Sequence, residues 1–130
     1  MGDLKINIEQ IISKEHFEEI IITALEGGSN YWYLIKHDDL RLIPTITGEN
    51  KAMAITRNLF ERPEFSLDVY DLQDEDELLG TITQGSLLKA LKICYKDYNQ
   101  IYVDLIEGTG DAETADIIFQ IAVMGEVTFG

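Results

Sequence analysis

Apolar and polar positions alternate with two different periods along the chain, and the switches between periods divide it into helices and strands. Leu4, Ile6 and Ile8 fall to one side and Lys5, Asn7 and Glu9 to the other, the period of a half-buried strand over residues 4–9. After Ser13, which suits a helix N-cap, the period lengthens. Phe17, Ile20, Ile21, Ala24 and Leu25 then stand at i, i+3, i+4, i+7 and i+8, an amphipathic helical stripe that ends at Gly27 and Gly28. Tyr31–Ile35 is aromatic and apolar enough for a strand, with Trp32 facing away from its tyrosine neighbours. Pro44 interrupts the next apolar run, and a weaker helix over 49–61 rests on Ala52, Ile55 and Leu59 and stops before Pro63. Phe65, Leu67 and Val69 alternate with Ser66, Asp68 and Tyr70 in another strand, and the run Leu78–Ile82 pairs with it across an acidic turn.

Thr83 is placed to cap a third helix whose stripe is Leu87, Leu91, Cys94, Tyr95 and Tyr98. Ile101–Ile106 fits a helix or a strand. Asp111 opens a last helix with an acidic first turn, as the helix dipole favours. From Ile117 to Met124 that helix is apolar on nearly every side except at Gln120, which predicts the central buried helix. Short strands mixed with helices, without regular β-α-β alternation, predict an α+β fold with a small, mainly antiparallel sheet on about four helices. The 130 residues contain no repeat and no Ser/Gly-rich or Pro-rich divider, so one domain over 1–130 is expected.

Charge changes this picture most. Ten basic residues against 24 acidic ones give −14 at neutral pH, and binding phosphates needs a basic face, so direct nucleic-acid binding is disfavoured. The same charge suits a partner with a basic surface, although solubility is the ordinary reason for it. An apolar fraction of 45% excludes wholesale disorder. No window is apolar for the length of a membrane span, and Met-Gly-Asp-Leu-Lys is unlike a signal peptide, which predicts a cytoplasmic protein without a membrane role. Gly2 does not make a myristoylation signal, because Ile6 stands where Ser or Thr is required. Cys94, the one cysteine, falls in an apolar helical stripe and reads as a buried thiol in a reducing compartment.

Three stretches stand out together: Ala24-Leu25-Glu26-Gly27-Gly28-Ser29-Asn30-Tyr31-Trp32-Tyr33, Leu79-Gly80-Thr81-Ile82-Thr83, and Asp111-Ala112-Glu113-Thr114-Ala115-Asp116 running on to Gly125-Glu126. The set resembles a family of small uncharacterised proteins carried by bacteriophages and bacterial mobile elements. The resemblance covers most of the chain and implies expression in a bacterial host cytoplasm. It assigns no activity to any residue.

Two groups of residues are candidates for binding. Asp68, Asp71, Asp74, Glu75, Asp76 and Glu77 crowd ten positions without a basic residue. Such carboxylates can present a phosphate-like field to a protein that binds nucleic acid, or form nothing more than a solvated hairpin loop. Asp71, Asp74, Glu75, Asp76 and Glu77 are the partner-binding candidates; the spacing is not that of a calcium loop. The second group is a polar ligand pocket drawn from distant segments: Glu26, Ser29, Asn30, Trp32, Asp116, Gln120 and Glu126. The structural alternative for this stretch is a plain helix end with Gly27-Gly28 as a left-handed cap, and no phosphate-loop fingerprint occurs in it.

No catalyst, metal ligand set or cofactor emerges. His16 and His37 lack metal-ligand spacing, and His37-Asp38-Asp39 reads as an exposed turn. Ser29, Ser66 and Ser86 lack a nucleophile-elbow setting. Lys51, Arg57 and Arg62 have Glu49 and Glu61 close enough to neutralise them. The leading expectation is a small acidic accessory protein that binds and modulates a host protein, one that itself binds nucleic acid. The alternative is a protein that binds or sequesters a small nucleotide-like ligand, with Trp32 or Tyr33 stacking on it; a hydrolase is a weaker third. Homo-oligomerisation is left open.

Overall fold

Ser13 begins the first helix as its spacing predicts. In a computed structural model of the chain, which describes residues 2–6 and 9–130, the Ser13 side chain accepts from the His16 amide at 3.3 Å and α1 runs Lys14–Thr23. Phe17, Ile20 and Ile21 are its buried face. The helix then widens into one π-helical turn, Ala24–Gly28, closed by the Ser29 amide on the Ala24 carbonyl at 2.9 Å. Neither Gly27 nor Gly28 has a positive φ, so the expected left-handed cap is absent. Gly28 is needed for another reason: a Cβ there would lie 2.8 Å from the carbonyl oxygen of Ala112.

The aromatic segment is mostly a turn. Only Tyr33–Leu34 forms strand β1, while Trp32 turns inward and is buried. His37-Asp38-Asp39, expected as a turn, begins the short helix α2, His37–Arg41. Asn50 caps α3, Lys51–Glu61, by accepting from the Met53 amide. The buried Asn58 ties this helix to the preceding loop by donating to the carbonyls of Pro44 (3.0 Å) and Ala54 (2.8 Å).

Strands β2, Ser66–Asp71, and β3, Asp74–Thr83, complete an antiparallel sheet in the order β1-β2-β3. Leu67 pairs with Ile82 and Val69 with Gly80, and Leu67, Val69 and Ile82 are buried. Beyond Val69 the register slips twice, so that Tyr70 faces Leu78 and Asp71 faces Asp74. The acidic residues 74–77 are therefore strand residues, and the turn itself is Leu72-Gln73.

Thr83 and Ser86 form a reciprocal capping box at the start of α4, Gln84–Asp97. The ambiguous segment is helical: α5 spans Asn99–Glu107 and ends in Gly108 at φ 70°. Asp111 and Thr114 box the start of α6, Ala112–Met124, whose Ala115, Ile118, Phe119, Ile121 and Ala122 are buried. Helix α6 touches α1, α4, α5, β3 and the π turn, the central place that its apolar circumference predicts.

The fold is α+β, with six α-helices among the described residues instead of about four. The strand expected over 4–9 is not found where the chain is described: residues 2–6 and 9 have no regular structure, and Leu4 and Ile6 are exposed. Asn7 and Ile8 lie outside the described residues. No helix among the described residues is long and apolar enough to cross a membrane.

Candidate functional site

Asp116 lies on α6, one turn before Gln120, and four donors converge on it. Oδ1 accepts from the Ser29 hydroxyl at 2.8 Å and from the Trp32 indole N–H at 2.7 Å. Oδ2 accepts from the Tyr31 hydroxyl and from the Gln120 amide at 3.1 Å. A carboxylate offers about four lone-pair positions, and this one has a donor for each. Burial, and then the adjacent Asp116 carboxylate, push the Tyr31 phenol up to about 12.

Gln120 carries the network further. The chain turns back after α6 at Gly125, φ 82°, and returns along the helix. The Gln120 carbonyl accepts from the amides of Thr128 and Phe129, both at 2.8 Å, while its amide also donates to the Phe129 carbonyl at 3.1 Å. The Phe129 ring stacks on Trp32 at 5.3 Å with the planes 11° apart. A fully buried glutamine thus has its hydrogen bonds met by the chain itself.

Of the seven residues expected to share a pocket, Ser29, Trp32, Asp116 and Gln120 come together. Glu26 does not join them; it is exposed and accepts from Asn50 at 3.0 Å. Asn30 points away to a depression shared with Leu25, Tyr33 and Lys51, and Glu126 is exposed beyond the helix end. Tyr31, Thr128 and Phe129 belong to the cluster and were not on the expected list. Tyr31 lies inside the Ser29–Tyr33 motif, a signal that pointed to it; Thr128 joins through its main chain, which every residue has, and Phe129 through its main chain and its ring on Trp32.

The acidic candidates are arranged differently. Asp74, Glu75, Asp76 and Glu77 are all exposed along the outer half of β3, and Asp71 is half-buried at the end of β2. Asp71 accepts from the Gln73 amide at 2.8 Å and Asp74 from the Asp76 amide at 3.1 Å, so both carboxylates shape the hairpin tip. Among the described residues none of these five carboxylates enters an ion pair, whereas Glu49, Glu61 and Glu64 all pair with arginines. Exposed Leu72 and Leu78 flank the acidic row. This end of the hairpin is a charged surface with exposed leucines beside it, and Glu75 lines a depression shared with Lys36 and His37.

The remaining chemistry is quiet. Arg57 binds Glu49 at 2.7 Å and holds its carboxyl below the usual range. Cys94 is buried, which pushes its thiol up to about 11 and keeps it protonated at neutral pH. His37 is exposed; His16 packs its ring on Gly108, and its Nδ1 is a buried atom without a hydrogen-bond partner. No group of His, Cys, Asp and Glu side chains among the described residues could hold a metal ion. Comparison of the chain with protein-family models, with curated proteins and with solved structures finds no match.

Proposed function

We propose that this is a non-enzymatic interaction protein of phage or mobile-element origin, which uses its β2–β3 hairpin to engage a basic surface on a host protein that itself binds nucleic acid. The observation that carries this reading is the run of four exposed carboxylates, Asp74 to Glu77, left without a cationic partner among the described residues. Unpaired charges on an exposed hairpin keep their field for an incoming cationic surface, and fields of this kind steer association and select partners. The overall charge of −14 acts in the same direction. The ligand-binding alternative has no comparable support, because the donors around Asp116 are the chain's own and fill its acceptor positions.

The test is an affinity capture from bacterial host lysate at low and raised salt, with the wild type and with D74N/E75Q/D76N/E77Q. A discrete host protein retained at low salt, and lost both on raising salt and on neutralising the hairpin, is the expected result. Retention of the same protein by the neutralised hairpin would remove the hairpin from the reading.

A further inference from the structure

Helix α4 carries three of the ten basic residues of this acidic chain, Lys89, Lys92 and Lys96, all exposed. At about 100° per residue they fall on one side of the helix, beside a second stripe formed by Leu88, Leu91 and Tyr95. That second stripe borders a groove. Its volume is 730 Å³, and Ile12, Leu88, Leu91, Lys92, Tyr95 and Tyr102 line it. Leu88 is 53% and Tyr95 58% exposed, an unusual amount of apolar surface for two neighbouring turns of one helix. The Tyr95 and Tyr102 rings meet edge to face at 5.1 Å, so the groove wall is held in place by contact between α4 and α5. Among the described residues none of the three lysines enters an ion pair.

The geometry points to a second binding surface: the α4–α5 groove docks an acidic amphipathic peptide segment of a partner protein, its apolar side chains seated on Leu88, Leu91, Tyr95 and Tyr102 and its carboxylates on Lys89, Lys92 and Lys96. Charge complementarity decides the occupant. An apolar groove alone accepts any greasy segment, but a lysine row along one lip rewards Asp and Glu at the matching helical spacing. A basic amphipathic segment would meet like charge there. At physiological ionic strength a charge is felt over roughly 8 Å, so an occupant meets chiefly the charges nearest it, and Lys92 is part of the groove lining. A membrane surface fits less well, because the site is concave and a bilayer surface is flat. The surface is independent of the hairpin and of the role proposed for it.

The probes are two fluorescein-labelled amphipathic peptides of about five helical turns, one of Leu and Glu and one of Leu and Lys, titrated with the full chain and read by anisotropy. The acidic peptide should bind saturably, and the basic one should not bind D74N/E75Q/D76N/E77Q, in which the hairpin that attracts cations is neutral. K89E/K92E/K96E and, separately, L88A/Y95A should each weaken binding about tenfold or more, while D74N/E75Q/D76N/E77Q leaves it unchanged. All the replaced side chains are exposed, and unchanged far-ultraviolet dichroism establishes that the variants are folded. Absence of saturable binding of the acidic peptide, equal binding of both peptides to the hairpin-neutralised chain, or indifference to lysine reversal would overturn the proposal. So would binding of the chain to phosphatidylglycerol vesicles in place of the peptide. Sedimentation of the chain alone covers the last occupant: self-association lost on reversing the lysines or neutralising the hairpin would assign the groove to the hairpin of a second copy, and would also overturn the proposal.

Discussion

Three donors from the distant Ser29–Trp32 segment and one from the next turn of its own helix share the two oxygens of Asp116, and this makes Asp116 the residue whose replacement says most. In Asp116→Asn one oxygen becomes an NH2 facing the donors that Oδ2 or Oδ1 now accepts, so two bonds are lost and two donors are set against each other. Hydrogen bonds to a charged group contribute about 1.5–3 kcal/mol each, and a loss of about 3 kcal/mol or more in denaturant titrations is expected. A variant of wild-type stability would show that the cluster is incidental to the fold. Cys94 makes a prediction at high pH. Its folded pKa, about 11, lies above the ordinary 9, so folding holds the proton. The contribution is complete below pH 9 and is lost as pH rises toward 11. Tyr31 has the same sign, from its ordinary 10 to about 12, with a smaller effect because its ring is nearly half exposed. Stability measured between pH 8 and 12 should therefore fall, and Cys94→Ala should flatten the first part of the decline at the cost of a lower starting value.

At the scale of elements, two glycines let α6 approach its neighbours more closely than any side chain allows, Gly80 on β3 at one end and Gly28 on the π turn at the other. A Cβ on Gly80 would lie 2.0 Å from the carbonyl oxygen of Val123, so Gly80→Ala must push β3 off the end of α6; a loss of at least about 2 kcal/mol by thermal melting is expected. Gly28→Ala meets the Ala112 carbonyl and should also destabilise, whereas a Cβ on adjacent Gly27 meets nothing and Gly27→Ala should be neutral or mildly stabilising. Equal effects at 27 and 28 would contradict the close approach. Helix starts were readable from the chain because capping is local: Ser13, Thr83 and Asp111 all cap as their spacing implies. Strands were less readable, since a period of two states what a segment could pair with and not whether a partner arrives. Residues 4–6 have that period and no strand partner among the described residues, while Asp74–Glu77 have no apolar period and lie in β3, Asp74 opposite Asp71 and Glu75–Glu77 in the irregular stretch before Leu78 opposite Tyr70. The cluster around Asp116 was half visible for a similar reason: polar side chains in an apolar helix stand out, but the main chain of Thr128 and Phe129 leaves no trace in residue identity.

For the whole molecule, charge is the dominant variable. Fourteen excess negative charges repel one another, and the exposed row Asp74–Glu77 adds to that strain without a compensating ion pair among the described residues. D74N/E75Q/D76N/E77Q should therefore melt at the same temperature as the wild type or a little higher at low salt, with the gap closing at about 0.5 M salt, where the Debye length is only a few ångströms. A lower melting temperature at every salt concentration would mean that these carboxylates hold the hairpin together. The same substitutions that test partner binding thus also report whether the hairpin was kept acidic at a cost to folding.

Trp32 is the only tryptophan in the chain, buried, with its N–H on a carboxylate and a phenyl ring from the returning C-terminal residues laid across its face. The molecule accordingly carries its own optical gauge of how closely those residues are docked. Its emission should lie toward the blue. Phe129→Ala, or mild denaturant, should move it to the red while helical dichroism is still intact, because a segment held by three hydrogen bonds and one ring contact opens before the core does. Undocking and global unfolding would then appear as two separate steps in a single titration, without any label being attached.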